Sequence, residues 1–188
     1  RLTDVTGVQT CALPILYTEI GELVFEVKNH LAPYDIEVGW WCAPSLRSGF
    51  HESFQYITNI DGSVSNLSVC PLDPLFREVF SDNVATVVRI ARPFMVQFED
   101  DYELSWHPPH IKFGCFCPHH LAEFSKRQNK DYSREELIEI FRTVTPESIA
   151  LRRAWAEISR DSLAGLAALV REKIDRIEIG RASCRERV

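Results

Sequence analysis

The sequence predicts an α/β fold built on parallel strands, and three observations predict it. Two short runs, IEVGWW (36–41) and PFMVQF (93–98), are almost continuously apolar. Strands covered on both faces, as in parallel sheets packed under helices, carry that pattern. Between the two runs lies a helical pattern, and a long loop follows each of them. Strand, crossover helix and strand make a βαβ unit, right-handed in nearly every known case.

The elements follow in order. EIGELVFEVKNHLAPY (19–34) reads as the end of a helix that precedes the first strand. After that strand, YITNIDGSVSNLSV (56–69) has strand-like flanks around Asp61-Gly62, a hairpin signal within a long loop. DPLFREVFSDNVATVVRIA (73–91) is the crossover helix. Asp73 suits its N-cap and Pro74 its first position, while Phe76, Phe80, Val84, Val87 and Ala91 keep helical spacing. A second long loop runs from Glu99 to about Lys130. Ser133 with Glu136 then offers a capping box for a short helix. A longer helix starts near Pro146. Its apolar stripe runs through Leu151, Trp155 and Ile158, slips once, and resumes at Leu163, Leu166, Val170, Ile174 and Ile177. In a parallel arrangement both long loops lie at the carboxyl ends of the strands, the face that carries chemistry in α/β proteins.

Both ends of the chain look foreign to this pattern. VTGVQTCALPI (5–15) and IGRASCRERV (179–188) resemble read-through translations of sequencing adapters, which assigns 1–15 and 179–188 to adapter-like sequence. Residues 16–178 are then one fragment of a single domain, open at both ends. Without Asp4 and Glu186 the 27 acidic residues become 25. Without Arg1, Arg181, Arg185 and Arg187 the 21 basic ones become 17, so the net charge moves from −6 to −8. Such a balance argues against nucleic acid, which needs a basic face. The longest apolar runs fall well short of the roughly 20 residues of a membrane span. Four cysteines in residues 16–178 are too few for a disulfide-stapled secreted scaffold, which favours a cytoplasmic location.

Three groups of residues could carry chemistry. Glu99, Asp100 and Asp101 sit where the second strand ends, and crowding of their carboxylates raises at least one pKa, as a general acid requires. A solvated acidic loop is the plain alternative. Trp40 and Trp41 on the first strand, with Tyr102 and Trp106 after the second, supply rings that can stack on sugar faces. His107 and His110 can bond hydroxyls, and core packing is the competing role for the tryptophans. Strand alternation sends Trp40 and Trp41 to opposite faces. Finally, GCFCPHH (114–120) offers Cys115, Cys117 and His120 at zinc-ligand spacing, with Cys70 as the fourth ligand from the neighbouring loop. His119 competes with His120, His107 and His110 compete for the fourth place, and free or buried thiols are the alternative to a metal.

The residues 59–77 (NIDGSVSNLSVCPLDPLFR), 98–127 (FEDDYELSWHPPHIKFGCFCPHHLAEFSKR) and 151–159 (LRRAWAEIS) together resemble the glycoside hydrolase family 42 β-galactosidases. The resemblance implies a partial (β/α)8 TIM barrel, roughly its third and fourth strand–helix units. It implies a glycoside hydrolase acting on an oligosaccharide or glycoside through a pair of carboxylates, with the nucleophile outside this stretch. It places Cys70, Cys115 and Cys117 on the family's zinc cysteines, with His120 where the last cysteine stands, so that zinc clips a loop. Asp101 then takes the acid/base position before Tyr102, with Glu99 as its substitute, and Asp100 takes the sugar-contacting position. Tyr102, Trp106, Trp41 and His107 fall to substrate binding. The family's Thr-Pro-Thr is replaced by WCAPS (41–45). The full-length protein has room for homo-oligomers. A carbohydrate-binding barrel without hydrolysis, or a metal-dependent hydrolase using His107 and His110, are the other readings.

Overall fold

The computed structural model describes residues 6–42, 46, 51–99, 102–104 and 114–185, with side chains described among these from 15 to 177. The chain divides into two compact units. One comprises Arg1–Ser53, Arg77–Asp100 and Ala167–Val188, and the other Phe54–Phe76 and Asp101–Leu166.

In the first unit, helix α1 (Thr6–Leu31) and a single 3-10 turn (Ala32–Tyr34) lead to strand β1 (Trp40–Cys42). β1 pairs in parallel with β4 (Val96–Phe98), placing Trp40 opposite Val96, Trp41 opposite Gln97 and Cys42 opposite Phe98. Two bonds extend the ladder upstream: Phe94 N donates to Val38 O and Trp40 N to Met95 O, both at 2.8 Å. The sequence predicts strands over 36–41 and 93–98, and the paired residues are fewer. Arg92 ends the preceding helix at φ 50°, and Pro93 has no N–H to give, so regular pairing starts only beyond them. Nor are the strands covered on both faces as their apolar character predicts. Trp41 is 62% exposed and Phe94 67%, because this sheet has two strands and its outer edges meet no further strand among the described residues. Lys28 Nζ donates to the Arg92 carbonyl at 2.6 Å, fastening the end of α1 to the end of the helix that precedes β4.

Helix α2 (Pro74–Ala91) begins and ends where the sequence places it. Asp73 Oδ1 accepts from Leu75 N at 2.8 Å and from Phe76 N at 3.4 Å, satisfying two amides that have no partner inside the helix. All five residues of the expected apolar face, Phe76, Phe80, Val84, Val87 and Ala91, are buried.

The second unit starts with an antiparallel hairpin, β2 (Tyr56–Thr58) and β3 (Val64–Val69), with Tyr56 opposite Val69 and Thr58 opposite Val64. Its turn carries Gly62 at φ 88°, the Asp-Gly signal read from the sequence. Then come α3 (Pro118–Gln128), α4 (Arg134–Arg142) and the start of α5 (Pro146–Arg185). The expected capping box is present: Glu136 N donates to Ser133 Oγ at 3.1 Å, and Ser133 N to Glu136 Oε2 at 2.8 Å. Phe116, Phe124, Leu137, Phe141, Leu151, Trp155 and Ile158 form one core. The stripe on α5 has no slip. It runs through Leu151, Trp155, Ile158, Ser162 and Leu166, with Ser162 buried and Leu163 only half-buried.

The chain is thus a mixed α/β structure with one parallel pair, and among the described residues no barrel closes. Among those residues no helix is long and apolar enough to cross a membrane.

Candidate metal centre

Four buried side chains of the second unit converge: Cys70, Cys115, Cys117 and His120, their ligand atoms all within 4.8 Å of one another. Each arrives by a simple local device. Cys70 follows β3 directly, and its backbone is fixed by Cys70 N donating to Gln55 O (2.8 Å) and Asp73 N donating to Cys70 O (3.0 Å). Cys115 and Cys117 flank Phe116, whose N–H donates to Thr58 O of β2 at 2.7 Å. Gly114 makes the turn into this tripeptide at φ 90°, a conformation that glycine adopts without strain. Cys117 is the N-cap of α3 but makes no capping bond with its side chain, which leaves the sulfur for the cluster. Pro118 opens the helix, and His120, three residues after Cys117, lies on the same side of its first turn.

The distances suit one ion. His120 Nδ1 lies 3.3 Å from Cys70 Sγ and 3.6 Å from Cys117 Sγ, and the two sulfurs are 3.4 Å apart. A tetrahedral zinc with bonds of 2.3 Å to sulfur and 2.0–2.1 Å to nitrogen separates its ligand atoms by about 3.5–3.8 Å. Cys42, Cys70, Cys115 and Cys117 are free thiols. The residues therefore fit a metal ion, and three sulfurs with one imidazole are a donor set compatible with zinc.

Electrostatics divide the three cysteines. Burial pushes the Cys70 thiol well above its ordinary value, and Cys115 up to about 12. Cys117 moves the other way, held far below the usual thiol value by hydrogen bonds from Cys115 and Cys70, with His120 adding to the effect. Leu72 N donates to Cys70 Sγ at 3.4 Å, a further contact that favours sulfur with negative charge. Among the described residues the cluster holds no carboxylate. Four protein ligands would complete the coordination of a bound tetrahedral ion, leaving no place for water or substrate.

The other residues singled out in the sequence are spread elsewhere. Glu99 follows β4 and is buried in the first unit, where its charge adds to the burial that lifts Cys42 to about 12. Tyr102 belongs to the second unit, and its hydroxyl donates to Leu163 O of α5 at 2.8 Å. Trp41 stands exposed on β1. Asp100, Asp101, Trp106, His107 and His110 lie outside the described residues. His119 is half-buried and takes no part in the cluster. The sequence reading missed Ser162, which stands 3.3 Å from His120 Nε2. A serine at a buried step of an apolar helical stripe was the available signal. No family model matches the chain, and it matches no curated protein and no solved structure.

Proposed function

We propose that the Cys70–Cys115–Cys117–His120 cluster holds a structural zinc ion, in a chain that is part of a (β/α)8 glycoside hydrolase. The closed, buried Cys3His donor set carries the metal half of this reading. When bound, zinc clips the turn after β3 to the start of α3 and takes no part in the reaction. A metal-dependent hydrolase fits less well, since such sites keep a ligand position open and use oxygen or further histidine ligands.

The glycosidase half is supported by the resemblance in sequence and by the parallel β1–β4 pair, after which a buried carboxylate, Glu99, follows directly. In such an enzyme one carboxylate protonates the glycosidic oxygen as the acid. The other attacks or activates water, with retention when the two stand about 5–5.5 Å apart. Glu99 or Asp101 fills the acid/base role, and Asp100, Tyr102, Trp106, Trp41 and His107 supply contacts to the sugar. The nucleophile comes from outside this chain. FEDD in place of the family's Asn-Glu pair favours, as the second reading, a zinc-stabilised barrel that binds carbohydrate without cleaving it.

Two measurements test these statements separately. Elemental analysis of the purified protein should give one zinc per chain, lost in Cys115→Ser; absence of zinc removes the metal half. Nitrophenyl glycosides presented to the full-length protein should be cleaved, with Glu99→Gln and Asp101→Asn identifying the acid. Glycoside binding without cleavage would leave the binding reading in place.

A further inference from the structure

Beyond the four ligands, the polar contacts around His120 fix which of its nitrogens faces the ion. We propose that Ser162 of α5 is a positioning residue that holds the His120 proton on Nε2 and thereby presents Nδ1 to the metal. This inference rests on the metal reading above for its role, while its geometry stands apart from it.

A serine hydroxyl has one proton to give and two lone pairs. Ser162 Oγ gives that proton to Ser159 O at 2.7 Å, one turn back in the same helix. Toward His120 Nε2, 3.3 Å away, it is left as an acceptor, so the imidazole must be the donor. A neutral imidazole with its proton on Nε2 has its free lone pair on Nδ1. Nδ1 is the nitrogen that faces the sulfurs of Cys70 and Cys117. Partners of this kind around metal-binding histidines fix the tautomer and ring orientation.

The placement of Ser162 in the sequence supports the same role. Its flanking positions on the stripe, Ile158 and Leu166, are apolar and buried, and Ser162 is buried to the same degree. A hydroxyl at such a position costs stability unless both of its bonds are made. Here both are made, one to the helix backbone and one to the ligand ring. The contact also links α5 to α3, the helix that carries His120, so metal binding and the seating of the first part of α5 support each other.

The test uses the whole chain labelled with nitrogen-15 histidine, compared with Ser162→Ala, a change that removes the acceptor without adding bulk. In metal-free wild type the His120 ring should carry its proton on Nε2, and in Ser162→Ala that preference should be lost. Cobalt titration, read through thiolate charge-transfer absorption, should show affinity falling about 10- to 100-fold in the variant. A tautomer unchanged by Ser162→Ala overturns the proposal, whatever the affinity does. If wild type binds no cobalt at all, the metal reading fails, and the tautomer comparison still decides the role of Ser162.

Discussion

The ring of Phe116 lies against the indole of Trp155, with centroids 4.3 Å apart and planes 20° from parallel. Phe116 is the residue between two cysteines of the cluster, so one tripeptide supplies both the cluster and the core of the second unit. Trp155 also meets Phe124 of α3 edge-on at 4.9 Å, which puts the helix that carries His120 and α5 around one indole. Cluster and core are therefore expected to form and melt together.

Removing a bound zinc ion from the cluster should disturb Trp155. A chelator strong enough to strip zinc is expected to lower the thermal midpoint and shift the Trp155 emission to the red, because structural zinc contributes folding energy directly. Trp155→Phe separates this signal from those of Trp40, Trp41 and Trp106. An emission spectrum indifferent to the chelator, in protein shown to contain zinc, would contradict the coupling.

Truncating Phe116 should act on both. Phe116→Ala leaves a cavity beside Trp155 and is expected to cost about 3–5 kcal/mol in urea unfolding. It should also weaken metal binding, since the ring anchors the backbone between Cys115 and Cys117. A loss of stability with unchanged cobalt affinity would show that the cysteines hold their positions without it.

How far the sequence shows this much depends on whether the determining contacts are local. Asp73, Pro74 and the face from Phe76 to Ala91 set α2 within one stretch of chain, and the structure has the same bounds. Ser133 and Glu136 are three residues apart, and the capping box is formed as read. Cys115, Cys117 and His120 are local as well, whereas Cys70 joins the set only if two loops meet. Ser162 is different. It lies 42 positions from His120, and apolar spacing points to Leu163 as the next step because a serine interrupts the pattern. Its burial follows from the imidazole it faces, which no helical periodicity contains. The faces of β1 and β4 differ from expectation for a related reason: apolar character predicts cover on both, but burial depends on neighbours that the local pattern does not specify.

Alkali should weaken the fold through Cys42. Burial, with the charge of Glu99 adding to it, raises this thiol from 9.0 to about 12. Between those values the unfolded chain has lost the proton while the folded chain keeps it. Stability is therefore fully present below about pH 9 and falls as pH rises toward 12, by at most about 1.4 kcal/mol per pH unit. Urea midpoints measured from pH 8 to 11 should fall more steeply in wild type than in Cys42→Ala. Taking the difference between the two proteins at each pH cancels the contribution of the other cysteines. Parallel slopes would mean that Cys42 meets solvent in the folded state. The same burial predicts that Cys42 reacts slowly with thiol reagents near neutral pH.

The turn into the cluster should tolerate nothing larger than glycine at position 114. Gly114 has φ 90°, where any side chain is strained, and a Cβ there would stand 2.7 Å from Ser159 Oγ. The backbone term alone is worth roughly 1–3 kcal/mol. Ser159 Oγ donates to Trp155 O at 3.1 Å, so it has to give up that bond to move aside. Gly114→Ala is expected to destabilise the protein and to weaken cobalt binding, because the displaced residue adjoins Cys115. A double-mutant cycle with Ser159→Ala divides the effect: removing the hydroxyl relieves the contact but leaves the φ penalty, so stability should return only in part. Full recovery would assign the whole cost to the contact, and no recovery would assign it to the backbone. In either case the carbonyl of Ser159 remains in place to receive the Ser162 hydroxyl, so cobalt affinity in the double variant reports the turn before Cys115 rather than the orientation of His120.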